Sequence, residues 1–231
     1  MFMTGEQLQK ARRNFGLTQV EAAKKLGVSQ SYLSLLEEGK RNLTPRLAKK
    51  AVKLFNLPPT SLPLETELKH LRPVSNQNLV KELAALNYPG YTHVRPSRLK
   101  NPTQVLLAAL SSENLEARLV EALPWLLLNF SDMEWQDLID AAKVKDLQNR
   151  LGFLTCLARK LAEKLRDTKK VAIFKCREKA LAGSRLLKED TFCRRNLTNA
   201  EKRWLLQNRT PEAEYWNVLS DLSVEHLNYV K

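Results

Sequence analysis

The sequence is poor in the residues that would place it outside the ordinary globular class. It has only seven glycines and ten prolines in 231 residues, which excludes collagen-like repeats and long low-complexity linkers. Its three cysteines, Cys156, Cys176 and Cys193, are odd in number and widely spaced. That excludes a disulfide framework and fits reduced thiols in a cytoplasm. The three histidines, His70, His93 and His226, form no ligand pair with them, so no zinc site is expected. No run approaches the roughly 18 apolar residues of a membrane helix. The opening MFMTGEQLQK lacks the basic start and apolar stretch of a secretory signal. The expectation is a cytoplasmic protein without membrane contact. There is no P-loop, GxSxG, HExxH or usefully spaced Cys-His pair, so neither catalysis nor a cofactor nor a metal is expected.

Acidic residues are also in short supply. Asp and Glu number 25 against 38 Lys and Arg, a formal net charge of +13. Such an excess attracts polyanions, nucleic acid above all. Residues 1–60 hold 11 basic and 4 acidic side chains, 61–130 hold 7 and 6, and 131–231 hold 20 and 15. The charge therefore has two centres. The second is densest in residues 159–203, with 15 basic and 6 acidic residues. Three readings stand there: a second DNA-contacting surface, a docking face for an acidic protein, or a solvated helical exterior.

Residues 4–56 read as a run of short capped helices. Thr4 with Gln7 and Thr18 with Glu21 are capping boxes, Ser29 caps a third helix, and Thr44-Pro45 opens a fourth. Gly16, Gly27 and Gly39 end the first three. The apolar positions Leu8, Ala11 and Phe15, then Val20, Ala23 and Leu26, then Leu33 and Leu36, then Leu47, Ala51, Leu54 and Phe55 are expected to face inward. Prolines at 58, 59, 63 and 73 put a boundary between about 60 and 75, with a short helix before or after Pro58-Pro59.

Beyond it, helices are predicted at 76–86, about 103–110, 112–123 and 125–130, the last two separated by Pro124. A loop covers 87–102. Ser131 with Glu134 is another capping box, and Leu151, Leu154, Ala158, Leu161 and Leu165 form a buried seam. Residues 171–174 (VAIF) read equally as a short strand or a helix start. Thr198 with Glu201 and Thr210-Pro211 open two late helices. Trp125, Trp135, Trp204 and Trp216 are each expected in the core.

The segment LTQVEAAKKLGVSQSYLSLLEEGKRN, residues 17–42, joins two capped helices through a tight turn at Gly27, the geometry that presents a helix to the major groove. With Leu33 and Leu36 buried, Gln30, Ser31, Ser34 and Leu35 share the opposite face. Gln can pair with the N6 and N7 edge of adenine, Ser can donate or accept, and an apolar side chain can pack on a thymine methyl. Gln19, at the start of the second helix, sits where side chain and helix dipole both favour a phosphate.

This segment resembles the Xre/Cro/phage-repressor, or lambda-repressor-like, helix-turn-helix family over residues 4–60. The matching pieces are Leu17-Thr18-Gln19, Ala22-Ala23, Leu26-Gly27-Val28-Ser29, Ser31-Tyr32-Leu33-Ser34, and Glu37 with Gly39-Lys40. The resemblance implies base contacts from Gln30, Ser31 and Leu35, with Ser34 beside them. Many members carry a polar or basic residue where this chain has Leu35, which leaves a methyl contact, no contact or a core role there. It also implies phosphate contacts from Gln19, Lys40, Arg41 and Asn42, joined by Tyr32. Arg12 and Arg13 read either as phosphate contacts or as a solvated face, and Glu37 as structural.

The expected fold is all-α: a lambda-repressor-like helix-turn-helix bundle at 1–62, a linker at 63–75 and a larger helical domain at 76–231. The implied function is a transcriptional regulator, a repressor acting on a palindromic operator in double-stranded DNA through a recognition helix at 29–37. A homodimer is implied, held by the larger domain with its leucine seam. Leu115–Leu165 also resembles the helical part of abortive-infection antitoxins, through Asn114-Leu115-Glu116-Ala117-Arg118 and Arg150-Leu151-Gly152-Phe153-Leu154. That offers an alternative, an antitoxin whose C-terminal domain neutralises a toxin partner while the N-terminal domain autoregulates the operon.

Overall fold

A computed structural model describes residues 3–64 and 67–227. The chain is all-α and divides into two compact units, residues 1–66 and 67–231. Among the described residues no helix is long and apolar enough to cross a membrane.

Among the described residues the first unit has four helices, α1 (Gly5–Asn14), α2 (Gln19–Leu26), α3 (Gln30–Glu37) and α4 (Pro45–Leu54), then a 3-10 turn at Pro59–Ser61. The boxes at Thr4/Gln7 and Thr18/Glu21 both close, and Ser29 and Thr44 accept from the backbone N–H of Tyr32 and Leu47. Leu8, Leu26, Leu33 and Leu36 are fully buried, each worth about 1.5–3 kcal/mol of transfer free energy. The start of α1 lies directly on the end of α3: a Cβ on Gly5 would stand 1.9 Å from the Leu36 carbonyl oxygen. Two expected core residues fall outside. Val20 is 65% exposed, because Ala22, Ala23 and Leu26 define the buried arc of α2 and Val20 lies off it. Phe15, the C-cap of α1, is half exposed and meets Phe55 edge-on.

The second unit contains α5 (Asn76–Ala85), α6 (Pro102–Leu110), α7 (Ala117–Asn129), α8 (Trp135–Val144), α9 (Gln148–Lys164), α10 (Thr168–Ala182), α11 (Asn199–Asn208) and α12 (Pro211–Tyr215). It begins with a 3-10 turn at Leu68–His70 that packs on α8. Two short strands, β1 (Asp190–Thr191) and β2 (Val218–Leu219), pair in parallel, Asp190 opposite Val218. The central element is α9, which packs against α7 and α10. The approach of the α12 end to α9 requires Gly152, where a Cβ would lie 2.3 Å from the Trp216 ring. Arg150 ties α9 to β1 and α6: it grips both carboxylate oxygens of Asp190 and donates to the Leu110 carbonyl.

Several local expectations give way to tertiary packing. Residues 117–129 form one helix through Pro124. The missing N–H at Pro124 costs about 3 kcal/mol, but Leu119, Leu123, Leu126 and Leu127 are buried on both sides of it, which outweighs that loss. Residues 112–116 are not helical; Asn114 bridges to Arg194 instead. The Ser131/Glu134 box does not form. Residues 130–133 turn tightly, the Trp135 indole N–H donates to the Ser131 carbonyl, and α8 starts only after Glu134. Residues 171–174 are helical, within α10. Trp125, Trp135 and Trp216 are buried, whereas Trp204 is 52% exposed because Leu205 is the buried residue of α11. The leucine seam is buried from Leu151 to Leu161 inside this unit, and Leu165, past the end of α9, is exposed. A seam already covered by α7 and α10 is not a free dimer surface.

Candidate nucleic-acid interface

The turn between α2 and α3 is built by Gly27. Its backbone is left-handed at φ 74° and ψ 44°, and its N–H bonds the Ala23 carbonyl at 2.9 Å. A residue with a Cβ is strained in this conformation. Ser29 then starts α3, and Leu33 and Leu36 anchor it. This leaves Gln30, Ser31 and Leu35 exposed on its outer side, with Ser34 and Tyr32 half-buried. Leu35 is therefore not a core residue.

A chain of hydrogen bonds holds this outer side from beneath. Arg12, on α1, donates from Nε to Glu37 Oε1 at 2.7 Å, from Nη2 to Glu37 Oε2 at 2.8 Å and from Nη1 to the Leu17 carbonyl at 2.8 Å. Gln19 Nε2 donates to Glu37 Oε2 at 3.0 Å, and Gln30 Nε2 donates to Gln19 Oε1 at 3.0 Å. Burial pushes the Glu37 carboxyl up, but hydrogen bonds from Arg12 and Gln19 and the Arg12 charge more than offset it, and the group is held below the usual carboxylate range. Glu37 also raises the Arg12 guanidinium, chiefly by hydrogen bonding. Arg12 is thus buried and committed to Glu37, and is not a phosphate contact; Arg13 is exposed. The Gln30 amide keeps its oxygen and one N–H for a partner outside, the donor–acceptor pair that adenine's N7 and N6 edge requires.

The loop after α3 carries the second group. Lys40, Arg41 and Asn42 are all exposed, and the Arg41 N–H bonds the Leu35 carbonyl at 3.1 Å. Glu38 gathers two expected contact residues: its carboxylate accepts from Ser34 Oγ at 2.8 Å and lies 2.7 Å from Lys40 Nζ. Hydrogen bonds from Lys40 and Ser34 hold that carboxyl below its usual range.

Comparison with known proteins agrees with this geometry. A family profile described as Helix-turn-helix matches residues 8–62. An uncharacterized HTH-type transcriptional regulator from Archaeoglobus fulgidus is 43% identical over 49 residues, which are 21% of this chain and 70% of that protein. The chain belongs to the helix-turn-helix transcriptional regulators. No solved structure matches it.

Within this regulator the structure joins Gln19 to Gln30 and Ser34 to Lys40, and leaves Ser31 beside Ser29 at 3.3 Å. Sequence reasoning missed Glu38 altogether. A carboxylate four residues after Ser34 on the same helical face was the available signal. Among the described residues no group of His, Cys, Asp and Glu could hold a metal ion. Cys156 and Cys193 are buried, and burial pushes their thiols up to about 11 and about 12. Such thiols are poor nucleophiles at neutral pH.

Proposed function

We infer that the protein is a sequence-specific repressor that occupies a palindromic operator as a homodimer, with α3 in the major groove. The observation that carries this reading is the exposed Gln30 amide, held by Gln19 on the face of α3 opposite Leu33 and Leu36. A base-reading side chain must be both presented and oriented, and Gln19 orients it. In this reading Gln30, Ser31, Ser34 and Leu35 meet base edges. Gln19, Tyr32, Lys40, Arg41 and Asn42 meet phosphates, which fix the register of the helix in the groove. A unit of this size covers about one half-site, so two-fold pairing supplies the full operator.

The test is selection of bound duplexes from a random pool by the full chain, with sedimentation of the chain alone. The expected result is an enriched inverted repeat whose half-sites are about 10 bp apart or a multiple of that, bound by a dimer. A pool that emerges without sequence preference would overturn the reading.

A further inference from the structure

Residues 159–203 hold 15 basic and 6 acidic residues, and their ion pairs are unevenly shared. All six acids are engaged: Glu163 and Glu178 by Arg159, Asp167 by Lys170, Glu189 by Arg209, Asp190 by Arg150, and Glu201 by Arg194. Lys160 and Arg195 find their acids outside the segment, in Glu212 and Glu113. Among the described residues, ten of the fifteen cations are left with no ion pair. Arg177 and Arg185 lie over the Trp135 and Tyr215 rings, Lys188, Lys202 and Arg203 come later in the chain, and the other five follow one another from the end of α9 along α10. Lys164 and Arg166 flank the end of α9, and Lys169, Lys175 and Lys179 lie on α10, all of them exposed.

The arrangement on α10 follows from its packing. Phe174 and Leu181 are its buried residues, set against α9 and Trp135. At 3.6 residues per turn, Lys169, Ala172, Lys175, Cys176, Lys179 and Ala180 fall on the opposite arc, and each is exposed. No acid lies on that arc; Glu178, the single acid of α10, is turned toward Arg159. The side chains between the lysines are small, so a flat partner can approach closely. Lys169 to Lys179 spans about 15 Å at 1.5 Å per residue.

We propose that this face of α10, with Lys164 and Arg166 beside it, binds the phosphate backbone of duplex DNA without regard to sequence. It is a second DNA-contacting surface, in the second unit. Two features favour DNA over an acidic protein. The α10 face itself has no large apolar side chain to serve as a buried anchor, the exposed Leu165 between Lys164 and Arg166 lying only at its edge, and lysine is depleted from the cores of protein–protein interfaces. Mobile point charges on long stems suit phosphates, which carry no directional code. The choice of duplex DNA as the polyanion rests on the reading of the first unit given above.

Cys176 reports on this face directly. It is exposed on the arc while Cys156 and Cys193 are buried, so a thiol-alkylating reagent applied to the native full chain reads Cys176 alone. At low salt, duplex DNA of random sequence is expected to slow alkylation of Cys176 several-fold. The triple variant Lys169→Gln, Lys175→Gln, Lys179→Gln should lose that protection. Its slope of log affinity against log salt should shrink by about 2.7, at 0.9 per phosphate contact, on every sequence alike. Continued protection of Cys156 and Cys193 shows that the variant is folded. A separate variant, Gln30→Ala with Arg41→Ala, should lose sequence preference yet keep DNA protection of Cys176. No effect of that second variant would sink the reading of α3 and leave this one standing. The proposal is overturned if DNA leaves Cys176 reactivity and the triple variant leaves the salt slope unchanged. Protection by polyglutamate and not by DNA would also overturn it, and would assign the face to an acidic protein.

Discussion

The Arg12 guanidinium, on α1, grips both carboxylate oxygens of Glu37, the last residue of α3, at 2.7 and 2.8 Å with the Glu37 side chain fully buried. A buried pair of this kind is worth little over a well-packed apolar pair, but breaking one side of it is expensive. Arg12→Ala is therefore expected to destabilise the first unit by about 3–5 kcal/mol. The sign of the pH dependence follows from the lowered Glu37 carboxyl. Its stabilisation is complete above the ordinary unfolded carboxylate value, about 4.3, and is lost as pH falls through the lower folded value. Melting curves between pH 7 and pH 2 check both. A variant that melts with the wild type at pH 7 would show that the pair does not hold α3.

Gln30 and Gln19 act as a pair. Removing Gln30 should weaken the selected operator by about 1–3 kcal/mol and leave random DNA nearly untouched. Gln19→Ala should do part of the same, because the Gln30 amide loses its support, and should weaken random DNA as well through the lost phosphate contact. Titration of each variant on both duplexes separates these effects. Equal weakening by Gln30→Ala on the two DNAs would move Gln30 to the phosphate class.

Glu38 places a negative charge between Ser34 and Lys40. Glu38→Gln keeps a hydrogen-bond acceptor while freeing Lys40 to meet a phosphate. The expected outcome is tighter binding to every sequence alike, because Lys40 no longer has to leave a carboxylate to meet its phosphate. Weaker binding would show instead that Glu38 holds Lys40 in its working position.

Gly152→Ala tests the centre of the second unit. The new Cβ would lie 2.3 Å from the Trp216 ring, so the α12 end must move away from α9. The expected cost is about 1–3 kcal/mol, with the emission of Trp216, now 1% exposed, shifted to the red. An unchanged melting temperature and spectrum would show that α9 and Trp216 part readily.

The features legible in the chain are those that close within three or four residues. The boxes at Thr4/Gln7, Thr18/Glu21 and Thr198/Glu201, and the caps at Ser29, Thr44 and Thr210, form as read. Each is a hydrogen bond between a side chain and a backbone N–H held nearby by covalent geometry alone. The buried faces of α3 and α4 were readable for the same reason, since helical spacing places Leu33 with Leu36 and Leu47 with Ala51 whatever surrounds them.

Packing between distant elements decided the rest. Arg12 and Glu37 are 25 positions apart, so no local pattern distinguished a buried guanidinium from a phosphate contact. Gln19 and Gln30 meet only because the turn at Gly27 folds α3 back on α2. Pro124 stays helical because leucines on both sides of it are buried, while the Ser131/Glu134 box gives way to a tight turn at 130–133 that delays α8 until after Glu134. The bare lysine face of α10 is the plainest case. Composition counted the cations of 159–203, but which of them stayed unpaired depended on acids claimed by Arg150 and Arg209 from outside the segment. Ion pairing is a contest over short distances in space, and only the folded chain sets those distances.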